Sequence, residues 1–220
     1  MLYVVAVHIG NAEDITLRAL NALRTSDIII GEDYKFADKL LKQYEISGKP
    51  IEELNEHNYL EKTDDLIQKL KTGKTAALTT DHGTPAISDP GSELINECYK
   101  NKIKVVCVPG VSSITAALSV AGIKIDDFIF FSKIPRNKEE RKIFFCRLRK
   151  IKEVKVFIDA PYRLANLLEN IYYNLSNSAN VVLCYELTTA NEKVLRGKIK
   201  DIMSKAKSEN LKGEFILIVD

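Results

Sequence analysis

The sequence predicts an α/β protein of two domains, the first built on a doubly wound parallel sheet and the second on a mixed sheet. Three observations carry this. Short runs of Val, Ile and Leu alternate with amphipathic segments through the first half of the chain, and continuous apolar strands of that length suit a sheet covered on both faces. The 220 residues are 45% hydrophobic and 28% charged, enough to bury a real core and to make two domains of about 110 residues, close to the commonest domain size. After Gly122 the texture changes, with strands paired to longer charged segments and more irregular turn signals.

Taken in order, LYVVAVH is the first strand and a helix follows from about Asp14. DIIIG is the second strand, followed by a helix through Lys39 to Lys42. A short strand near Ile51 precedes a helix from about Asn58 to Leu70, then come the strand TAALTT, a helix from Ser92 to Lys100, and the strand KVVCVPG. An apolar helix through Ala116, Ala117 and Leu118 follows. The boundary falls in this region and is set so that residues 1–112 form the parallel-sheet domain and 113–220 the mixed-sheet domain. The second domain offers strands at FIFFS, VKVFI and VVLCYEL, helices from Tyr162 to Leu175 and near Ile199 to Ala206, and a last strand at FILIVD.

Thirty-two basic residues nearly cancel thirty acidic ones, so attraction to nucleic acid must come from a local patch rather than the global field. Such a patch exists. Between Lys133 and Lys152 nine basic residues stand against two acids, Glu139 and Glu140, a net +7. Cys98, Cys107, Cys146 and Cys184 form no C-x-x-C pair and read as reduced, mostly buried thiols. No apolar run approaches the roughly 20 residues that span a bilayer. The apolar N-terminus lacks a basic flank and runs into Gly10 and Asn11, so it is a strand and not a signal peptide. A cytoplasmic protein without a membrane partner is expected.

In a parallel α/β sheet ligands bind beyond the carboxyl ends of the strands, and three loops there stand out. His8-Ile9-Gly10-Asn11 follows the first strand; Gly10 permits close backbone approach and Asn11 can cap the next helix. Asp81 to Gly91, DHGTPAISDPG, follows the fourth. Its two prolines fix torsions, Gly83 and Gly91 permit close approach, and Asp81 and Asp89 can accept hydrogen bonds from an amine or a ribose hydroxyl. Pro109 to Ile114 turns the fifth strand into a helix whose N-terminal N–H groups suit a carboxylate or phosphate. G-x-G-x-x-G after the first strand, G-x-x-x-x-G-K-[ST], G-x-S-x-G and H-E-x-x-H are all missing, which argues against nicotinamide reduction, P-loop nucleotide hydrolysis, serine hydrolysis and zinc peptidase chemistry. No ligand spacing supports a metal site, and none is expected.

DHGTPAISDPG followed by VPGVSSITAALSVAG, together with LYVVAVHIGNAEDITLRAL, GEDYKFADKLL, NEHN, PRNKEER, APYRL, YELTTANEKVLRG and KGEFILIV, resembles the tetrapyrrole methylase superfamily, nearest the branch that 2′-O-methylates a cytidine ribose of small-subunit ribosomal RNA. The match covers almost the whole chain. The resemblance implies two α/β domains with S-adenosyl-L-methionine in the cleft between them, and a homodimer. It implies cofactor contacts at His8, Gly10, Asp81, Gly83, Thr84, Ile87, Ser112, Ser113 and Ile114, with Ala160 and Leu187 from the second domain. The chain departs from the branch at several places. It has His8 where the branch usually has Pro, Tyr34-Lys35-Phe36 where it has Thr-Arg-His, His82 where it has Ala, and Asp159-Ala160-Pro161-Tyr162-Arg163 where it has Glu-Ser-Pro-His-Arg. Longer members carry a small C-terminal extension beyond the point matching Asp220.

A ribose hydroxyl must lose its proton as it accepts a methyl group, and a carboxylate, Lys or neutral His within reach assists. Glu32 and Asp33, at the end of the second strand, and Glu186 are the catalytic candidates; His8 and His82 follow neighbouring strand ends. Glu186 and Arg196 can alternatively pair as ions. Lys133, Arg136, Lys138, Arg141 and Arg163 are candidate phosphate contacts, which position RNA without reading its sequence. The expected partner is ribosomal RNA or the small ribosomal subunit. Two other functions fit the same sequence: a methyltransferase for a tetrapyrrole or other small molecule, and a catalytically silent RNA-binding or ribosome-associated module.

Overall fold

Three consecutive isoleucines show how the first half folds: Ile28 and Ile30 point to one face of a strand and Ile29 to the other, and all three are buried. The computed structural model describes residues 1–88 and 90–220; Asp89, one of the two loop carboxylates singled out above, lies outside the described residues. The chain divides into two compact units, Met1–Ser112 and Ser113–Asp220.

In the first unit the strands are β1 (Leu2–Val5), β2 (Ile28–Gly31), β3 (Ile51–Glu53), β4 (Ala76–Leu78) and β5 (Val105–Val108). They form one parallel sheet in the order β3-β2-β4-β1-β5. Between them run α1 (Leu17–Thr25), α2 (Tyr34–Gln43), α3 (Tyr59–Lys71) and α4 (Ser92–Lys100). One face packs Leu2, Ile28 and Leu78 against Leu66, Leu70 and Leu94 of α3 and α4. The other packs Val5, Ile29 and Val108 against Leu23 and Leu41 of α1 and α2. Both faces are covered, as uninterrupted apolar strands require.

The helix expected from Asp14 starts later. Ala12–Asp14 is a single 3-10 turn, capped by Asn11, whose side-chain oxygen accepts the Glu13 N–H at 3.0 Å. Ile15 is extended, and α1 begins only where the Thr16 hydroxyl accepts the Ala19 N–H at 3.0 Å. Two capping side chains in quick succession split what reads in sequence as one helix start.

The second unit holds α5 (Ser113–Val120), β6 (Phe128–Ser132), α6 (Lys138–Leu148), β7 (Val154–Ile158), α7 (Leu164–Asn170), β8 (Asn180–Tyr185), β9 (Lys193–Lys198), α8 (Ile199–Ser208) and β10 (Phe215–Val219). The sheet order is β6-β7-β10-β8-β9, with β6 and β7 parallel and the other pairs antiparallel. Strand β9 is not evident in the sequence. It carries Lys193, Arg196, Gly197 and Lys198 and buries only Leu195, a composition that suits an edge and hides the apolar alternation. The helix expected from Tyr162 to Leu175 is three pieces: a 3-10 turn Pro161–Arg163, α7, and a π turn Ile171–Leu175.

The cysteines are only half as expected: Cys98 and Cys184 are buried, whereas Cys107 and Cys146 are exposed. Burial pushes the Cys98 thiol up to about 11 and the Cys184 thiol up to about 12, so neither forms a thiolate near neutrality. Among the described residues no helix is long and apolar enough to cross a membrane. Phe157, 1% exposed, stacks on Phe131 at 5.3 Å in the core of the second unit. Replacing it with Ala should lower the unfolding free energy by about 3–5 kcal/mol in urea denaturation.

Candidate active site

Because every strand of the first sheet runs the same way, the loops after β1, β2, β4 and β5 emerge at one edge, and the order β2-β4-β1-β5 makes them neighbours. Main-chain hydrogen bonds lock three of them together. The Val7 N–H donates to Gly83 O at 2.8 Å, and the Gly83 N–H donates to His8 O at 3.2 Å. The Thr84 hydroxyl donates to Val111 O at 3.0 Å, and the Ala6 N–H donates to Val108 O at 3.1 Å. The structure therefore brings His8, Gly83, Thr84 and the Val111-Ser112 segment into one constellation.

Close backbone approach explains the glycines. Gly83 has φ +77°, and a Cβ there would lie 3.2 Å from Ile9 Cγ2 and 3.6 Å from Val111 O. At Gly110 a Cβ would meet Ala6 Cβ at 3.1 Å. Ala86 and Ser88 also hold positive φ, both +64°, a left-handed conformation that costs a side-chain-bearing residue energy and clusters at functional sites. Pro85 is buried, Asp81 half-buried, and Ile87 exposed. Gly10, Ser112, Ser113 and Ile114 are all half-buried, the last two opening α5.

Glu32 and Asp33 follow β2. Asp33 is the N-cap of α2: its Oδ1 accepts the Lys35 N–H at 2.6 Å and the Phe36 N–H at 3.4 Å. Glu32 is half-buried. Residues that depart from the branch also meet here. The Phe36 and His82 rings make an edge contact at 6.0 Å, and His8 makes another with Tyr44 at 6.0 Å. Tyr44, the C-cap of α2, escaped the sequence reading because it lies 36 residues from His8 and no local motif links them. His8 is held below its ordinary pKa, mainly by burial and then by the neighbouring His82, with Asp14 opposing. Among the described residues no group of three or more His, Cys, Asp or Glu side chains is placed to hold a metal ion.

In the second sheet β6, β7 and β8 run parallel to one another, so Lys133, Ala160, Arg163, Glu186 and Leu187 lie along one edge of that unit. The basic residues differ in exposure. Arg163 bridges Asp159 Oδ1 at 3.2 Å and Ile134 O at 2.9 Å, and Arg141 donates to the carbonyls of Pro135 and Arg136 at 3.2 and 2.9 Å. Both therefore hold the loop between β6 and α6. Arg136 reaches the Tyr162 hydroxyl at 3.2 Å and, like Lys133 and Lys138, is exposed. Glu186, at φ +49°, accepts the Glu214 N–H on Oε1 at 2.6 Å. Arg196 donates to Gly122 O at 3.0 Å.

A parallel sheet whose strand-end loops are joined main chain to main chain, accompanied by a mixed five-stranded unit, defines a methylase fold, and the chain belongs to the tetrapyrrole (corrin/porphyrin) methylase family, whose model matches residues 1–203. Among its relatives, a protein of Halalkalibacterium halodurans named ribosomal RNA small subunit methyltransferase I is 37% identical over 219 residues, covering 100% of this chain and 75% of that one. A Thermotoga maritima protein of the same name is 36% identical over 218 residues, covering 99% of this chain and 97% of that one. Solved structures share the fold at lower identity. Diphthine synthase has a TM-score of 0.75 at 17% identity, covering 99% of this chain and 88% of that one; a cobalt precorrin-4 methyltransferase has 0.73 at 18%, covering 99% and 93%.

Two substitutions probe this geometry. Gly83→Ala adds a side chain at positive φ against Ile9 and should cost about 1–2 kcal/mol of stability in thermal or urea melts. Asp33→Ala should cost about 1 kcal/mol through the lost cap, whereas Asp33→Asn, itself a good cap, should stay within a few tenths of a kcal/mol. Comparing the two in denaturation and turnover separates Asp33 as a cap from Asp33 as a charge.

Proposed function

We propose that this protein is an S-adenosylmethionine-dependent methyltransferase that 2′-O-methylates a cytidine ribose of small-subunit ribosomal RNA, acting in the cytoplasm. The observation that carries this reading is the run of relatives named ribosomal RNA small subunit methyltransferase I, at 36–38% identity over 99% or more of the chain. The tetrapyrrole methylases among the solved structures are below 25% identical and bear on the fold alone.

The residues present fit the donor. A Cβ at Gly83 or Gly110 would sit only 3.1–3.2 Å from its neighbours, so the loops pack main chain closely beside short side chains, a surface that suits a nucleoside with hydroxyl, amine and carboxylate groups. His8, Gly10, Asp81, Gly83, Thr84, Ile87, Ser112, Ser113 and Ile114 would hold it. When bound, it supplies an activated methyl group. The chain then has to fix the acceptor hydroxyl in line with that group, which supplies much of the rate, and to receive the hydroxyl proton. Glu32 and Asp33 are the carboxylates proposed near the reaction.

Lys133, Arg136 and Lys138, exposed beside one another in the chain, are proposed to contact RNA phosphates, while Arg141 and Arg163 shape the loop that presents them. The protein is further proposed to act as a homodimer, which light scattering would read as a doubled mass.

The test is transfer of a tritiated methyl group to under-methylated small ribosomal subunits, naked ribosomal RNA and porphyrinogens, with donor binding followed by calorimetry. Label should appear in RNA at a ribose; label in a porphyrinogen alone, or donor binding without transfer to any acceptor, overturns the reading. Replacing Lys133, Arg136 and Lys138 together with Ala should weaken RNA binding and flatten its logarithmic salt dependence by about 2–3 units, roughly 0.7–0.9 per lost phosphate contact.

A further inference from the structure

The hydrogen bonds around His8 fix which of its nitrogens carries the proton. The Tyr44 hydroxyl lies 2.7 Å from Ala12 O and 3.1 Å from His8 Nδ1. A carbonyl oxygen cannot donate, so the single hydroxyl proton of Tyr44 is given to Ala12 O. The Tyr44 oxygen is then an acceptor toward His8, and Nδ1 must be the protonated nitrogen. In the neutral ring this leaves a lone pair on Nε2. Among the described residues the imidazole makes no other hydrogen bond.

Location adds to this. His8 sits directly after β1, and its carbonyl accepts from Gly83 in the loop constellation assigned above to the methyl donor. We propose that His8 is the general base of the methyl transfer, accepting the proton of the ribose hydroxyl on Nε2 while Tyr44 holds the ring in the required tautomer. This rests on the function proposed above and goes beyond it, since the branch it resembles usually has Pro at this position. In the step, the hydroxyl oxygen forms a bond to the methyl carbon as the carbon–sulfur bond breaks. The electron pair of that bond stays on sulfur, leaving a neutral thioether. The O–H proton passes to Nε2, giving an imidazolium that returns it to water.

The charged and titratable groups facing His8 come from three elements: His82 from the loop after β4, Asp14 from the 3-10 turn, and Lys39 and Tyr44 from α2 and its cap. Burial, His82 and Lys39 all disfavour the imidazolium, and only Asp14 favours it. Tyr44 is pushed above its ordinary value by burial and by Asp14, so it stays protonated and serves as the positioning residue. The ring is therefore neutral at pH 7, as a base must be, and the rate should fall only as pH drops through a value below the ordinary 6.5 of histidine.

Two readouts test this. Long-range proton–nitrogen NMR on histidine-labelled protein, which has three histidines and in which His8→Gln identifies the His8 signals, should show Nδ1–H and a pKa below 6.5. An Nε2–H tautomer overturns the proposal. With saturating donor and under-methylated small subunits, the acid limb of kcat should follow the pKa seen by NMR. In His8→Gln that limb should vanish and kcat should fall about 10²–10⁴-fold, a larger loss than any in donor affinity by calorimetry. Tyr44→Phe should mix the tautomers and lower kcat several-fold without affecting donor affinity, and it carries the kinetic test should His8→Gln not fold. An active wild type whose variants keep kcat and the acid limb overturns the role of His8 alone. A wild type that methylates no ribosomal RNA overturns the function reading, and with it this role, whatever the tautomer.

Discussion

The site in the first unit depends on a short stretch of main-chain pairing beyond the formal end of β1. Val7 and His8 exchange hydrogen bonds with Gly83, so the loop after β4 is built as an extension of the sheet and does not float above it. Such groups would otherwise need other partners, and a loop ordered this way has already lost its conformational entropy during folding. A ligand that binds there meets preorganised main chain. Thr84 extends the same arrangement to the segment after β5. The glycines suit this geometry, since a Cβ at residue 83 or 110 would lie 3.2 Å from Ile9 Cγ2 or 3.1 Å from Ala6 Cβ.

Three departures of this chain from the branch it resembles, His8, Phe36 and His82, fall in the first unit, while the run 159–163 belongs to the second. His8 contacts Tyr44, and His82 contacts Phe36, while His8 and His82 also sense one another electrostatically. All belong to the strand-end edge of the first sheet or to the helix beside it. A Pro at residue 8 could offer no ring nitrogen to Tyr44, and an Ala at residue 82 could offer no ring to Phe36. His8, Phe36 and His82 are therefore linked in place, and their physical content is an added titratable pair beside a preorganised loop.

The basic stretch illustrates how charge counted along a sequence divides by geometry. Arg141 and Arg163 direct their guanidinium groups to carbonyls and to buried Asp159, because a planar, multi-donor group can close several loop carbonyls at once. Lys133, Arg136 and Lys138 stay exposed. Phe145 and Leu148 turn inward from the same helix, so α6 is both a core element and a charged surface. The net +7 of residues 133–152 therefore includes guanidinium groups that the fold itself uses.

The sequence by itself determined the elements whose cause is local. Consecutive apolar residues covered on both faces mark β1, β2, β4 and β5, and their strand-end glycines and prolines mark the loops. DHGTPAISDPG followed by PGVSS was enough to indicate the family. Tertiary structure decided the features whose cause is a partner far along the chain. Strand β9 exists because β8 offers it an edge to pair with; its charged residues hide that role. Asp33 as a cap, Arg163 as a clamp and Glu186 as an acceptor for Glu214 depend on backbone placement that residue type does not specify. Tyr44 meets His8 only because α2 packs on the same sheet face as α1. The side-chain alternation that identifies a strand repeats every two residues, and nothing in a local period records which nitrogen of a distant histidine holds its proton.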